Sequence, residues 1–187
     1  MPPGGRPQPG AGTPVDHDPT RRLASWRLLD VDVLIAGLAA ALRDHHARPT
    51  AGCPPRGDDE LLAEARHRVG DGRVDPARFD PPYRRYAPEE LLALAERLRP
   101  EPAAPPVLVH GDARLATVRV DGSGIRGWDP SPRTGAGDPY RDLATVAVDL
   151  AEQVGAESLG PFFAAYGIDH PDVRRVDFHV LVDQLLR

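Results

Sequence analysis

The sequence predicts a mainly α-helical domain with a small β-hairpin insert. Three observations lead there. Apolar residues recur at helical spacing through most of the chain. A run of β-formers, Val107-Leu108-Val109, stands between helical stretches. A second short run, Thr117–Asp121, reaches a turn at Gly122-Ser123-Gly124 and returns through a third strand ending at Trp128-Asp129.

The elements follow in order. Residues 1–27 form an arm, disordered or loosely packed, because they are rich in Pro and Gly and carry no periodicity. The domain proper spans residues 28–187. Its first helix, Leu28 to His46, places Val31, Leu34, Ile35, Leu38 and Leu42 on one face and ends in Arg43, His45 and His46, which suit a negative helix end. Asp58-Asp59-Glu60 opens a second helix, to about Val69, and Gly70-Asp71-Gly72 stops it. Pro76 to Tyr86 reads as turns. Pro88-Glu89-Glu90 starts a third helix with Leu91, Leu92, Ala95 and Leu98 on one face. Pro100 to Pro106 is a linker into the strands. A Pro- and Gly-rich loop, Asp129 to Asp138, precedes three helices: Pro139 to Gly155, Ser158 to Tyr166, and Pro171 onwards. The last has Val173, Val176, Val180 and Leu181 facing inward.

Composition narrows the function. All 23 basic residues are Arg, so no chemistry that needs a lysine ammonium comes from this chain. A formal charge of −5 argues against nucleic acid as a partner and suits a cationic or neutral small molecule. The single cysteine, Cys53, excludes an internal disulfide and fits a reducing cytoplasm. The N-terminal residues lack the apolar stretch of a signal peptide, and no segment is long enough to span a membrane.

The chemistry-bearing segment is His110-Gly111-Asp112, set at the end of the apolar strand. Glycine allows a sharp turn, and Asp112 then projects from a rigid element where it can accept a proton from a hydroxyl. The plainer alternative is a loop-capping Asp beside a buried, hydrogen-bonded His110. Asp129 at the third strand end reads as a metal ligand or, with Pro130 after it, as a turn starter. Asp138 and Asp142 suit a helix cap and a buried tether for the corner. Asp149, Glu152, Asp177 and Asp183 either line an anionic cleft for a polyamine-like ligand or form solvated helix faces.

Taken together, these stretches resemble the aminoglycoside 3′-phosphotransferases, kinase-like enzymes that phosphorylate antibiotic hydroxyls. The resemblance runs from about Val31 to the last residue and includes Ala51-Gly52-Cys53-Pro54, Leu62-Ala63-Glu64-Ala65-Arg66 and Tyr166-Gly167-Ile168. It implies the C-terminal lobe of that fold, with Asp112 as catalytic base and His110 beside it. It implies further that Arg133, Asp149, Glu152 and Asp183 face the aminoglycoside.

The departures from the family pattern matter equally. The family's second metal ligand, an Asn five residues after the base, is here Thr117. Its magnesium-binding Asp falls on Pro130, with Asp129 displaced by one, and a one-residue slip at a strand end turns a side chain to the other face. The family's N-terminal lobe, a β-sheet with a phosphate-binding lysine, has no counterpart in the residues ahead of Val31.

The expectation is thus a family member without kinase activity. It would bind a small cationic or sugar-like ligand, aminoglycoside-like, in an acidic cleft, in antibiotic resistance or biosynthesis. No cofactor is expected; ATP and magnesium enter only if the family activity is retained, with Thr117 and Asp129 as the metal candidates. Two alternatives stand beside it. One is a biosynthetic enzyme using Asp112 with His110 as acid and base without ATP. The other is a phosphotransferase completed by a second chain. An uncovered cleft favours a homodimer.

Overall fold

The computed structural model describes residues 26–101 and 105–187. Of the predicted arm, residues 1–25 lie outside the described residues, as do residues 102–104 of the linker. Trp26 opens a short 3-10 turn and is buried in the core.

Among the described residues, six helices and four short strands follow. Helix α1 is Val31–His46. Asp30 caps it by accepting the Asp32 N–H at 2.9 Å, and the stripe Leu34, Ile35, Leu38 and Leu42 is buried as its spacing requires. Helix α2 is Asp58–Gly70, with its acidic first turn at the positive helix end. Two 3-10 turns, Pro76–Arg78 and Pro81–Tyr83, occupy the segment read as turns. Helix α3 is Pro88–Leu98; the Glu90 carboxylate reaches back to accept the Ala87 N–H at 2.8 Å.

The strands form two antiparallel pairs. The expected hairpin is β2 (Val118–Asp121) with β3 (Gly124–Trp128). Its register slips after Arg119, so Arg126 is the extra, bulged residue. Strand β1 (Val107–Val109) pairs instead with β4 (Gly135–Gly137), which lies inside the loop where the sequence reading placed no strand. Gly-Ala-Gly carries no β-propensity; its place is set by the N–H and C=O groups that β1 must satisfy.

Helices α4 (Tyr140–Gln153), α5 (Leu159–Tyr166) and α6 (Val173–Leu186) complete the chain. The core has two parts. One gathers α1, α4, α5 and the β2–β3 hairpin around Leu38, Leu143, Phe162 and Trp128. The other gathers α2, α3 and α6 around Leu62, Leu91, Phe178 and Leu185. Helix α6 packs on α2, α3 and α4 and so joins the two. Its first residue, Val173, expected inward, is instead exposed, because the first turn after the Asp172 cap extends beyond the core. At Gly37 a Cβ would stand 3.2 Å from the Ile125 side chain, so this glycine sets how closely α1 approaches β3.

Candidate functional site

The corner after β1 is built from below. Asp142, fully buried near the start of α4, accepts the His110 N–H at 2.6 Å and the Gly111 N–H at 2.7 Å. His46 Nε2 donates to the same carboxylate at 3.1 Å, and His46 Nδ1 lies 2.7 Å from the Tyr166 hydroxyl. Burial acts to raise the pKa of Asp142, but His46 and the two backbone amides outweigh it and hold the carboxyl below its usual range. Gly111 sits at φ +78°, and a Cβ there would fall 2.5 Å from the Arg133 carbonyl oxygen. No other residue fits this turn without strain. A carboxylate fixing two consecutive amides is a rigid mount, and it presents Asp112 at the surface of the loop.

His110 is buried, and both its ring nitrogens are engaged. Nε2 donates to the Asp129 carbonyl at 2.6 Å, and Nδ1 accepts the Asp112 N–H at 3.3 Å. A carbonyl partner on one side and an N–H on the other place a ring proton on Nε2 and leave the Nδ1 lone pair facing the Asp112 N–H. The Thr117 hydroxyl points back into the loop, to the carbonyls of Asp112 (3.2 Å) and Arg114 (3.1 Å). The Asp129 N–H in turn donates to the Thr117 carbonyl at 2.9 Å. His110, Thr117 and Asp129 thus brace the corner through the backbone.

On the open side the structure brings Asp112, Arg133, Asp149 and Asp183 together. The group that joins the three acids is Arg114, two residues after Asp112. Its Nε donates to Asp112 Oδ1 at 3.1 Å, its Nη2 donates to Asp183, and its Nη1 lies 3.7 Å from Asp149. Burial works against the guanidinium's charge, but Asp183 and Asp149 outweigh it, so its proton is held more tightly than usual. Asp149 accepts the Leu115 N–H at 2.6 Å, which ties α4 to the loop. Burial holds the Asp149 carboxyl above its usual range, despite that amide and Arg114, with the charges of Glu152 and Asp183 adding to the rise. Glu152 itself is exposed, one turn further along α4. Arg133 donates to the Leu186 carbonyl at 2.8 Å and lies 3.9 Å from Asp183. Arg187 bridges Asp183, at 3.1 Å, and Asp80.

Arg114, Arg187 and Asp80 are site residues that the sequence reading missed. Only Arg114 carried a signal, its place two residues past the corner. With Arg133, the guanidinium groups of Arg114 and Arg187 place three positive charges among Asp80, Asp112, Asp149 and Asp183, and so offset most of a cluster that reads, one residue at a time, as an acidic cleft.

A groove of about 850 Å³ lies between α1 and the β2–β3 hairpin. His45, His110, Trp128, Arg119 and Ile125 are among its lining residues. A second cluster, partly buried Asp58 with buried Asp138 and His179, has ligand-type atoms within 4.8 Å of one another. Arg175 already pairs with Asp138, and His179 Nε2 is 3.6 Å from Asp58.

The model of the phosphotransferase enzyme family matches residues 15–179. The chain belongs to that family. An aminoglycoside 3′-phosphotransferase of Escherichia coli is 31% identical over 152 residues, which cover 81% of this chain and 55% of that protein. A streptomycin 3″-kinase of Streptomyces griseus is 33% identical over 169 residues, covering 83% of this chain and 61% of the kinase. Among solved structures, the aminoglycoside phosphotransferase APH(3″)-Id of Streptomyces rimosus superposes with a TM-score of 0.74 at 29% identity, covering 86% of this chain and 65% of that one. The same phosphotransferase has been solved in complex with ADP and streptomycin. The chain thus spans a little over half the length of these curated relatives. Its fold, mainly α with small antiparallel sheets, is that of the family over the matched part. Among the described residues no helix is long and apolar enough to cross a membrane.

Proposed function

We propose that this chain binds a small cationic, amino-sugar ligand at the Asp112 corner and does not itself transfer phosphate. The observation that carries the reading is the mount of the corner. Asp142 fixes the His110 and Gly111 amides, and Asp112 stands beside carboxylates from two helices. A hydroxyl brought within hydrogen-bond reach of Asp112 would be oriented by it, and ligand ammonium groups would lie against Asp149 and Asp183.

The residues at the family's two metal positions do not fit a magnesium ion. Thr117 offers a neutral hydroxyl that is turned to the loop carbonyls, Pro130 has no donor side chain, and the neighbouring Asp129 meets the corner through its backbone N–H and C=O. Each electrostatic element of that kind contributes a factor of about 100 or more to phosphoryl transfer. The alternative in which His110 shares acid–base work with Asp112 draws no support, since both imidazole nitrogens are held by the backbone.

Calorimetry with kanamycin and streptomycin, with and without ATP and magnesium, tests the reading. Binding of the amino-sugar alone, weakened in Asp112→Asn, with no phosphorylated product by mass spectrometry, is expected. Turnover of ATP coupled to ligand phosphorylation, or no binding at millimolar ligand, would refute it.

A further inference from the structure

One guanidinium occupies the space where the carboxylates of the cleft converge. Arg114 reaches Asp112 on its own loop, Asp149 on α4 and Asp183 on α6. Two of these acids lie 2 and 69 residues away in the sequence, and Asp149 lies between them on α4. The Arg114 side chain is 22% exposed, and those of Asp149 and Asp183 are 16% and 19% exposed. This is a partly buried contact, which salt screens less than an exposed one. Asp183 is further matched by Arg187 and Arg133.

Resting on the reading above, we propose that Arg114 is a built-in occupant of the cation subsite. A ligand ammonium group enters between Asp112, Asp149 and Asp183 only by displacing the Arg114 guanidinium. Arg114 is thereby the residue that sets which cations the cleft accepts and how tightly.

The physics is a competition. Arg114 is attached to the rigid loop that also carries Asp112, so its effective concentration at the subsite is that of an intramolecular group, about millimolar or higher. Its planar fork makes two directed hydrogen bonds, to Asp112 and Asp183, where an ammonium acts as a point charge. A ligand therefore binds with its intrinsic affinity reduced by the fraction of time that Arg114 is swung out. A ligand with one ammonium group gains little from that exchange. A ligand with several, spaced to meet Asp149 and Asp183 together, gains enough to displace it. The subsite thus selects for polycations over single amines.

Removing the guanidinium while keeping the side chain's bulk should open the subsite. In Arg114→Gln three carboxylates face each other without their shared cation, and a ligand ammonium supplies it. Arg114→Lys keeps a charge at the same place.

The test is calorimetry with kanamycin, with sucrose as an uncharged control, on the full chain and on both variants, each checked for fold by circular dichroism. The Gln variant should bind kanamycin about tenfold or more tightly than the unaltered chain. Its dependence on salt should be steeper, the Lys variant should stay close to the unaltered chain, and sucrose should bind none of them. Equal kanamycin affinity in the unaltered chain and the Gln variant would overturn the role of Arg114 while leaving the ligand reading intact. No kanamycin binding by either at millimolar ligand would overturn both.

Should the Gln variant not fold, the unaltered chain gives the answer by itself. The Arg114 Nε–H resonance, assigned by its loss in the Lys variant, should move toward the position of free arginine as kanamycin is added. A resonance unmoved at saturating ligand would refute displacement.

Discussion

Asp142→Asn isolates the mount of the corner. The substitution keeps shape and volume but replaces one carboxylate oxygen by an NH2 group. In the structure one oxygen, Oδ1, accepts the Gly111 N–H at 2.7 Å, and the other, Oδ2, accepts both the His110 N–H and His46 Nε2. The amide side chain can serve only one of these two sets, and its NH2 then faces a donor at the other. At least one charge-assisted bond is lost, about 1.5 to 3 kcal/mol, and at least one buried N–H is left unpaired, about 1 to 3 kcal/mol. The combined loss is about 3 to 5 kcal/mol. For a chain of this size that lowers Tm by about 6 to 20 °C. Urea denaturation at neutral pH, followed by circular dichroism, gives the free energy directly, and a thermal scan gives Tm. A fall in Tm of less than about 2 °C, with the urea slope unchanged, would refute the claim that this carboxylate holds the corner.

Two further substitutions test other parts of the structure. His179 is buried, with neither ring nitrogen hydrogen-bonded, and burial, with the charges of Arg141 and Arg175 adding to it, pushes it from 6.5 down to about 3. The folded chain then declines a proton that the unfolded chain accepts. Stability should fall as pH drops below 6.5, by up to about 1.4 kcal/mol per pH unit. In His179→Leu this loss should vanish, so urea midpoints at pH 7.5 and pH 5 should lie closer together than in the unaltered chain; an unchanged difference would count against it. Asp58, which burial raises to about 6, acts in the opposite sense and is common to both proteins. Gly111→Ala places a methyl group against the Arg133 carbonyl at a positive φ, and should destabilise by about 2 kcal/mol or more in the same urea assay.

Much of the fold was legible because helical periodicity is a local property. The stripe Leu34, Ile35, Leu38, Leu42 announced α1, and the acidic and basic ends of the helices marked their limits. Strand β4 was not legible, because Gly135-Ala136-Gly137 has no local preference for extension and is recruited by β1. The inward face of α6 was misjudged at Val173, since periodicity does not say where a helix leaves the core. The site divides in the same way. Asp112 and Asp142 stood out by their positions around an apolar strand and a helix start. The pairing of Asp149 and Asp183 with Arg114 could not be read, because it depends on where α4 and α6 cross the loop. Residue types alone made those positions look like an open anionic surface, while the folded chain supplies most of the opposite charge itself.

The tether beneath the corner also bears on the order of folding. Asp142 joins His110 across 32 residues and His46 across 96, and His46 meets Tyr166 across 120. Strands β1 and β4 pair over three residues each, too few to persist alone. Contacts of such long range are entropically slow to close and give nothing until both ends are in place. The turn that presents Asp112 should therefore be one of the last features to take shape, acquired once the helices have met, so that substitutions at the tether such as Asp142→Asn should speed unfolding more than they slow folding.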